Sequence, residues 1–591
     1  MSRPSEVYAI TGASRSRALA AGLAVTLAAS LGAATAALAH PLPTRQDVQP
    51  LPIEQALEPA LTATPEADCG PGSLTEGPTQ GRVPRADHVS GRAAKGYTCN
   101  TEVVGSYVKP SPQGTVGGFK VERYVDAAGH DCAYYDSTLL FPTSLIDVES
   151  GVNVLDMSDP SKPVLTDKLV TPAMLSPHES LVVSKKRGVL AAVLGNPAFY
   201  PGLVDIYDIS QDCRHPVLKA SAPTGVLGHE SGMAPDGRTF YSASPGSQTL
   251  VAIDISNLSA PVPLWIGPYD SHGLSISDDG NRAYVAGVNS GLIILDTSEI
   301  QARVPNPQVR EVARLKWNSM SIPQNAIPVT IDGDPYVVEI DEFGSQDQVG
   351  AGRIIDIADE RNPTVISNLR LEVHQPENFA AQAGDPDAGI PLQGYAGHYC
   401  NVPQRTDPGI VACSMILSGL RVFDIRDPRH PREIAYFNAP IGPRLTPSFE
   451  ASNWAMSSPS FVPERGEIWY SDGFQGFFAV RVTNGVWPFP KCAGKTTTLP
   501  LGSRPGRSAD VIAGARSRDT IKTRGGRDRA CGRAGRDRIR GGQGRDRLRG
   551  GNGRDLLVGG PGRDKLDCGR GRGDVAVAGP RDRVRRCERR R

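Results

Sequence analysis

Long apolar runs are nearly missing from this chain of 591 residues. Apart from residues 18–39 no stretch is long enough to span a bilayer, which excludes a polytopic membrane protein. Helical periodicity is almost absent between residues 99 and 492, so the body reads as β structure. No C-x-x-C pair occurs, and the ten cysteines therefore do not read as structural zinc ligands. No G-x-S-x-G elbow, H-E-x-x-H pair or phosphate-binding loop stands in a suitable setting, which removes the hydrolases, zinc proteases and nucleotidases legible from sequence. Net charge is also nearly absent, at +1, but the balance is uneven. From residue 504 onward 25 arginines and 2 lysines face 11 acidic residues, a net of +16, so the preceding body carries −15. An acidic body and a basic tail attract each other or take different partners.

The N-terminus reads as an export signal. Arg15 and Arg17 precede an Ala/Leu/Val stretch over residues 18–39 that ends Ala37-Leu38-Ala39, the small-x-small pattern of a signal-peptidase site. A retained single anchor is the alternative, disfavoured because nothing around His40 stops transfer. Export makes the even cysteine count a disulfide framework. Two pairings have a reason: Cys400 with Cys413 across a hairpin, and Cys568 with Cys587 around the last tail repeat. The other six allow fifteen pairings. Residues 40–95, rich in Pro, Thr, Gly and Ala, read as a loose leader or linker.

Short β runs then repeat. An apolar strand ending in aspartate recurs at Asp156, Asp208, Asp254, Asp296, Asp356 and Asp424, followed in four cases by Asp159, Asn257, Asp359 or Asp427 and then proline. Each is a strand entering an Asx- or Pro-type turn, with two β runs upstream and one after, the period of a propeller blade. A seventh unit places Arg481 at the aspartate position and lacks a fourth strand. The run TEVVGSYV at residues 101–108 is expected to supply it and close the ring. Seven blades is the count, with six or eight left open. These strands resemble the LVIVD repeat, a family of bacterial extracytoplasmic propellers. The resemblance covers about residues 100–485 and implies a fold and a compartment rather than a reaction.

The tail repeats every nine residues, with Asp510, Asp519, Asp528, Asp537, Asp546, Asp555 and Asp564 in strict register. Three copies are complete, GGQGRDRLR, GGNGRDLLV and GGPGRDKLD. They match the hemolysin-type (RTX-like) repeat, which implies Ca²⁺ held between stacked turns by glycine carbonyls and aspartates. The positions concerned are Asp537, Gly541, Gly542, Gly544, Asp546, Gly550, Gly551, Gly553, Asp555, Gly559, Gly560, Gly562 and Asp564. The departure is an arginine before the aspartate in every complete copy, which opposes cation binding.

His178, His229, His272 and His398 each stand at the start of the first strand of a blade, where propeller strands line the central channel. Four imidazoles converging there can hold Zn, Cu or Fe, with Glu179 and Glu230 orienting rings. The equivalent residue of the remaining long blade is Gln324. The same placement also serves a purely structural role, bonding blades across a hydrated channel. His130, His374, Glu377 and His430 read as solvated loop residues.

The sequence thus predicts an all-β chain, a seven-bladed β-propeller followed by a short parallel β-roll. The segments are signal peptide 1–39, leader 40–95, propeller 96–492, linker 493–508 and repeat tail 509–591. The favoured function is a secreted or cell-surface binding or scaffolding module for a protein or glycan, its basic tail suited to acidic cell-wall polymers. The tail lacks the interleaved aromatics of nucleic-acid binders. The alternative is an extracytoplasmic metalloenzyme, an oxidoreductase or lactone hydrolase, using the channel histidines.

Overall fold

The computed structural model describes residues 43–591 except 109–116, 138–150, 196–201, 227, 345–347, 391–393, 442–452, 500–504, 508 and 515–516. The signal segment expected over residues 1–39 lies outside the described residues. Seven antiparallel four-stranded blades form a propeller, and two five-stranded parallel sheets form a roll that follows it in the chain. Blade 1 comprises Val121–Val125, Asp131–Asp136, Val152–Asp156 and Val164–Leu169, and blades 2 to 6 follow in the same order as far as Arg432–Asn438. Blade 7 takes Ser460–Val462, Glu467–Asp472 and Gly476–Val482, and its fourth strand is Thr101–Tyr107 from the beginning of the propeller. Arg481 donates to Glu102 on this closing strand and to Glu467 on the neighbouring one, both at 3.1 Å.

The recurrent aspartate has a local cause. Asp156, Asp208, Asp254, Asp296, Asp356 and Asp424 each end the third strand of a blade. Each carboxylate accepts the backbone N–H two residues on, at 2.8–3.1 Å. Asp159, Asn257, Asp359 and Asp427 repeat that bond in the next turn at 3.0–3.2 Å. These Asx turns steer the chain into the outer strand, so the repeat signature serves folding.

The leader, expected to be loose, is fixed to the propeller. Glu54–Ala56 pairs in parallel with Arg310–Trp317, the outer strand of blade 4, and Tyr97–Cys99 pairs with Arg432–Asn438, the outer strand of blade 6. Glu76 joins a buried ion triad in which Arg421 contacts Glu76 at 2.6 Å and Glu433 at 3.1 Å. Covering these outer strands removes two edges open to intermolecular pairing.

In the roll, strands such as Arg529–Gly535, Arg547–Gly553 and Lys565–Arg570 stack in one sheet, and Thr520–Lys522, Arg538–Arg540 and Leu556–Val558 in the other. Two nonapeptides make one coil. Ile521, Ile539, Leu548, Leu557 and Leu566 fill the narrow space between the sheets. After Asp564 the nine-residue spacing breaks, yet Asp582 still lies one coil on and accepts the Asp564 N–H at 2.8 Å.

The ten cysteines pair as 69–99, 132–213, 400–413, 492–531 and 568–587. Cys400 and Cys413 are direct cross-strand partners in blade 6, and Cys492–Cys531 fastens the roll to the segment leaving the propeller. Replacing Cys400 and Cys413 by alanine is expected to lower stability by about 2–4 kcal/mol, read as a shift of the denaturation midpoint. An unchanged midpoint would contradict a stabilising role for that bridge.

Candidate metal centre on the propeller axis

The innermost strands line the axis, and blades 2, 3, 4 and 6 each bring a histidine there. His178 precedes Val182–Ser184, His229 precedes Gly232–Met233, His272 lies in Ser271–Ile276 and His398 in Gly397–Asn401. In blades 4, 5 and 6 the positioning device is a β-bulge. Pairing passes from Ser271 to Gly273, from Pro323 to Asn325 and from Gly397 to Tyr399, leaving His272, Gln324 and His398 as the extra residues. A bulge re-aims the side chain of its unpaired residue. His178 reaches its place through left-handed backbone, at φ 51°, a conformation that costs a residue with a Cβ about 1–3 kcal/mol.

His229 meets two of the other rings through Nε2. His229 Nε2 lies 3.1 Å from His178 Nε2 and 3.2 Å from His272 Nε2. Two nitrogens bound to one ion at about 2.0–2.1 Å stand about 3–3.4 Å apart at octahedral or tetrahedral angles, so the spacing fits shared ligation. His272 Nδ1 is 2.8 Å from the Pro323 carbonyl, and His398 Nδ1 is 2.7 Å from that of Met456. A carbonyl only accepts, so both rings keep a proton on Nδ1 and, when neutral, present the Nε2 lone pair to the axis. Two carboxylates complete the cluster. Glu179 lies 2.6 Å from His229 Nδ1 and 3.6 Å from His398 Nε2, and accepts from Gln324 at 2.5 Å and from the Tyr399 hydroxyl at 3.0 Å. Glu342 lies 3.3 Å from His272 Nε2 and 3.1 Å from His398 Nε2. His178–Glu179–His229 and Glu179–Glu342–His398 each bring ligand atoms close enough to share one ion. Phe119 packs on the rings of His178 and His398, and Phe343 on that of His398.

Burial sets the protonation states. It pushes His178 down to about 3 and lowers His229, keeping both neutral at physiological pH. Burial also opposes charge on His398, but the hydrogen bond and charge of Glu342 outweigh it and raise its pKa. Burial likewise disfavours the Glu179 carboxylate, yet His229 and the other rings hold it well below the usual range.

Glu342 was not legible from the sequence, because it ends the second strand of blade 5 with no marker beside it. Glu230 does not orient a ring. It binds Lys120 Nζ at 2.5 Å, and beyond this pair a cavity of ≈ 490 Å³ opens, lined by Glu122, Asn325, Asn401 and Arg405 among others. His374, expected to be solvated, is buried: Nδ1 accepts the Leu371 N–H and Nε2 donates to the Tyr395 carbonyl. With both nitrogens engaged it is a structural histidine. His130 lies 2.8 Å from Asp126, whose carboxylate also accepts three backbone N–H groups and ties a loop. His430 and Glu377 are exposed.

The roll repeats a second arrangement of donors. Oδ1 of Asp528, Asp537, Asp546, Asp555 and Asp564 accepts the N–H of the aspartate one coil earlier at 2.9–3.0 Å. Oδ2 of each is buried without a hydrogen-bond partner. A Cβ added at Gly532, Gly541 or Gly550 would strike Oδ2 of Asp537, Asp546 or Asp555 together with the carbonyl of Gly550, Gly559 or Cys568. Only glycine leaves that space, and its walls are hard oxygen donors, which suits Ca²⁺. Gly542, Gly544, Gly551, Gly553 and Gly560 adopt positive φ in these turns, and the Gly562 carbon stands close over the Gly544 carbonyl.

A model of the RTX calcium-binding nonapeptide repeat matches residues 506–539 and 532–566. The LVIVD repeat model matches residues 146–171, 246–264 and 271–300, within blades 1, 3 and 4. No curated protein matches the chain. Among solved structures, the Kuenenia stuttgartiensis hydrazine synthase is similar at 16% identity over 49% of this chain and 72% of that chain, with a TM-score of 0.30. A chain of a mitotic checkpoint complex is similar at 10% identity over 65% and 96%, with a TM-score of 0.39. The chain therefore carries LVIVD repeats in a seven-bladed propeller and RTX-type calcium-binding repeats in its C-terminal roll.

Proposed function

We propose that this is an extracytoplasmic metal protein that holds one transition-metal ion on the propeller axis and carries a calcium-organised roll. The observations that carry the reading are the approach of His229 Nε2 to His178 Nε2 at 3.1 Å and to His272 Nε2 at 3.2 Å, and the two sets His178–Glu179–His229 and Glu179–Glu342–His398 whose ligand atoms lie within 4.8 Å of one another. His398 and Glu342 stand beside them as further ligands. Such an ion would supply Lewis-acid chemistry or, as copper or iron, one-electron chemistry. Glu179, bonded by Tyr399 and Gln324, is placed to hold the His229 ring. Five disulfides and a repeat that takes calcium suit an oxidising, calcium-rich exterior. In the roll, Asp537, Asp546, Asp555 and Asp564 with the facing carbonyls would hold Ca²⁺ and tie successive coils together. A binding or scaffolding role for a protein or glycan is compatible with the same architecture, and the axial cluster moves the balance toward the metal protein.

Titrating Co²⁺ into chelator-stripped protein is expected to develop visible d–d absorption that saturates at one equivalent per chain. Featureless spectra at several equivalents would overturn the axial centre.

A further inference from the structure

The arginines that set these repeats apart are arranged in columns. Arg529, Arg547, Lys565 and Arg583 occupy equivalent positions in successive strands of one sheet. Arg527, Arg545, Arg563 and Arg581 stand two residues earlier in each coil, all exposed. Strands in a sheet lie about 4.7–4.9 Å apart, so each column repeats its charge at that interval. Between the columns runs a groove of ≈ 230 Å³ lined by Arg545, Arg563, Lys565 and Arg583, with buried Asp564 at its base. Among the described residues no carboxylate forms an ion pair with Arg545, Arg563, Lys565 or Arg583. The acidic Asp567 nearby is already held by Arg586 at 2.6 Å. The Lys565 pKa is lowered, first by the charge of Arg547, then by desolvation, and then by Arg583, Arg585 and Arg545.

We infer that this groove is a binding site for a linear anionic polysaccharide carrying carboxylate or sulfate groups. The charge is cationic and unneutralised, and guanidinium forks suit planar carboxylate and sulfate oxygens. The columns run along the stack of coils, which suits a linear chain of repeating charges. The tail has no aromatic side chain on which bases could stack. The site lies on the strand face and at one turn, apart from the axial histidines, and does not rest on the metal reading.

The test uses the full chain with about 10 mM Ca²⁺ and two probes, a heparin oligosaccharide and hyaluronan, with neutral dextran as control. The substitutions Arg545→Gln, Arg563→Gln, Lys565→Gln and Arg583→Gln together are expected to weaken heparin-oligosaccharide binding by about 30-fold, with a reduced salt slope. The same number of changes at the opposite edge, Arg518→Gln, Arg536→Gln, Arg554→Gln and Arg572→Gln, is expected to change it by less than about 3-fold. If the quadruple groove variant does not fold, Arg563→Gln with Lys565→Gln alone is expected to lose about 5-fold. Equal losses from the two edges would reduce the effect to net charge and overturn the site. Tighter binding of a 30-bp DNA duplex, or no saturable binding of either glycan, would also overturn it.

Discussion

In excess chelator, residues 509–591 of the intact chain are expected to exchange their backbone amides rapidly, and about 10 mM Ca²⁺ to protect them. Each nonapeptide orders nine residues at about 1–2 kcal/mol of chain entropy apiece. Against that it buries one Ile or Leu, worth about 1.5–3 kcal/mol. The ladder hydrogen bonds add too little net free energy to offset the difference. Electrostatics make the ion-free roll worse. Burial pushes Asp537, Asp546 and Asp564 up to about 6, the sign of carboxylates enclosed without a counter-charge. A cation between coils reverses that cost, and being bound only by the folded roll it stabilises in proportion to the logarithm of its concentration. The net charge of +16 repels the same ion, so affinity is expected near the millimolar range of extracellular calcium modules. Mg²⁺, smaller and bound to near-octahedral geometry, is expected to protect poorly. Protection that is complete in chelator, or absent at about 10 mM Ca²⁺, would show that these repeats fold without their ion.

Replacing His229 by alanine is expected to lower transition-metal affinity by at least about 100-fold, because its Nε2 is the atom that both His178 and His272 approach. Glu342→Gln keeps shape but removes an anionic donor, and is expected to cost at least about 10-fold. The contrast is His374→Asn. That ring is as deeply placed but has both nitrogens committed to backbone groups, so the change is expected to lower stability while leaving metal affinity unchanged. Loss of metal from the His374 variant equal to that from the His229 variant would mean that the centre reports only global folding.

The blades were legible because the Asx turn recurs: a strand that ends in aspartate and turns within three residues leaves the same trace six times. The closing strand at Thr101–Tyr107 was legible from a missing partner, the fourth strand of the unit that carries Arg481. The four axial histidines could be placed on inner strands, since each opens a blade. Their side-chain contacts could not, because these depend on bulges at His272, Gln324 and His398 that have no composition signal. Glu342 reaches the axis from a second strand, which strand order alone assigns elsewhere. The leader misled for a related reason. Its two strands are three residues each and pair only with distant edges, so neither leaves a period. Cysteine pairs with local geometry were readable, across a hairpin for Cys400–Cys413 and one coil apart for Cys568–Cys587. Cys132–Cys213, 81 residues apart, joins neighbouring blades and needs the fold to be seen.

The most direct test of the axial centre is elemental analysis of the protein, purified without chelator and exchanged into metal-free buffer. One zinc, copper or iron atom per chain is expected, absent from the double variant His178→Ala, His229→Ala whose propeller still melts cooperatively. Wild-type protein free of these metals, and unable to take one up from added Zn²⁺ or Cu²⁺, would return the four histidines to a structural role.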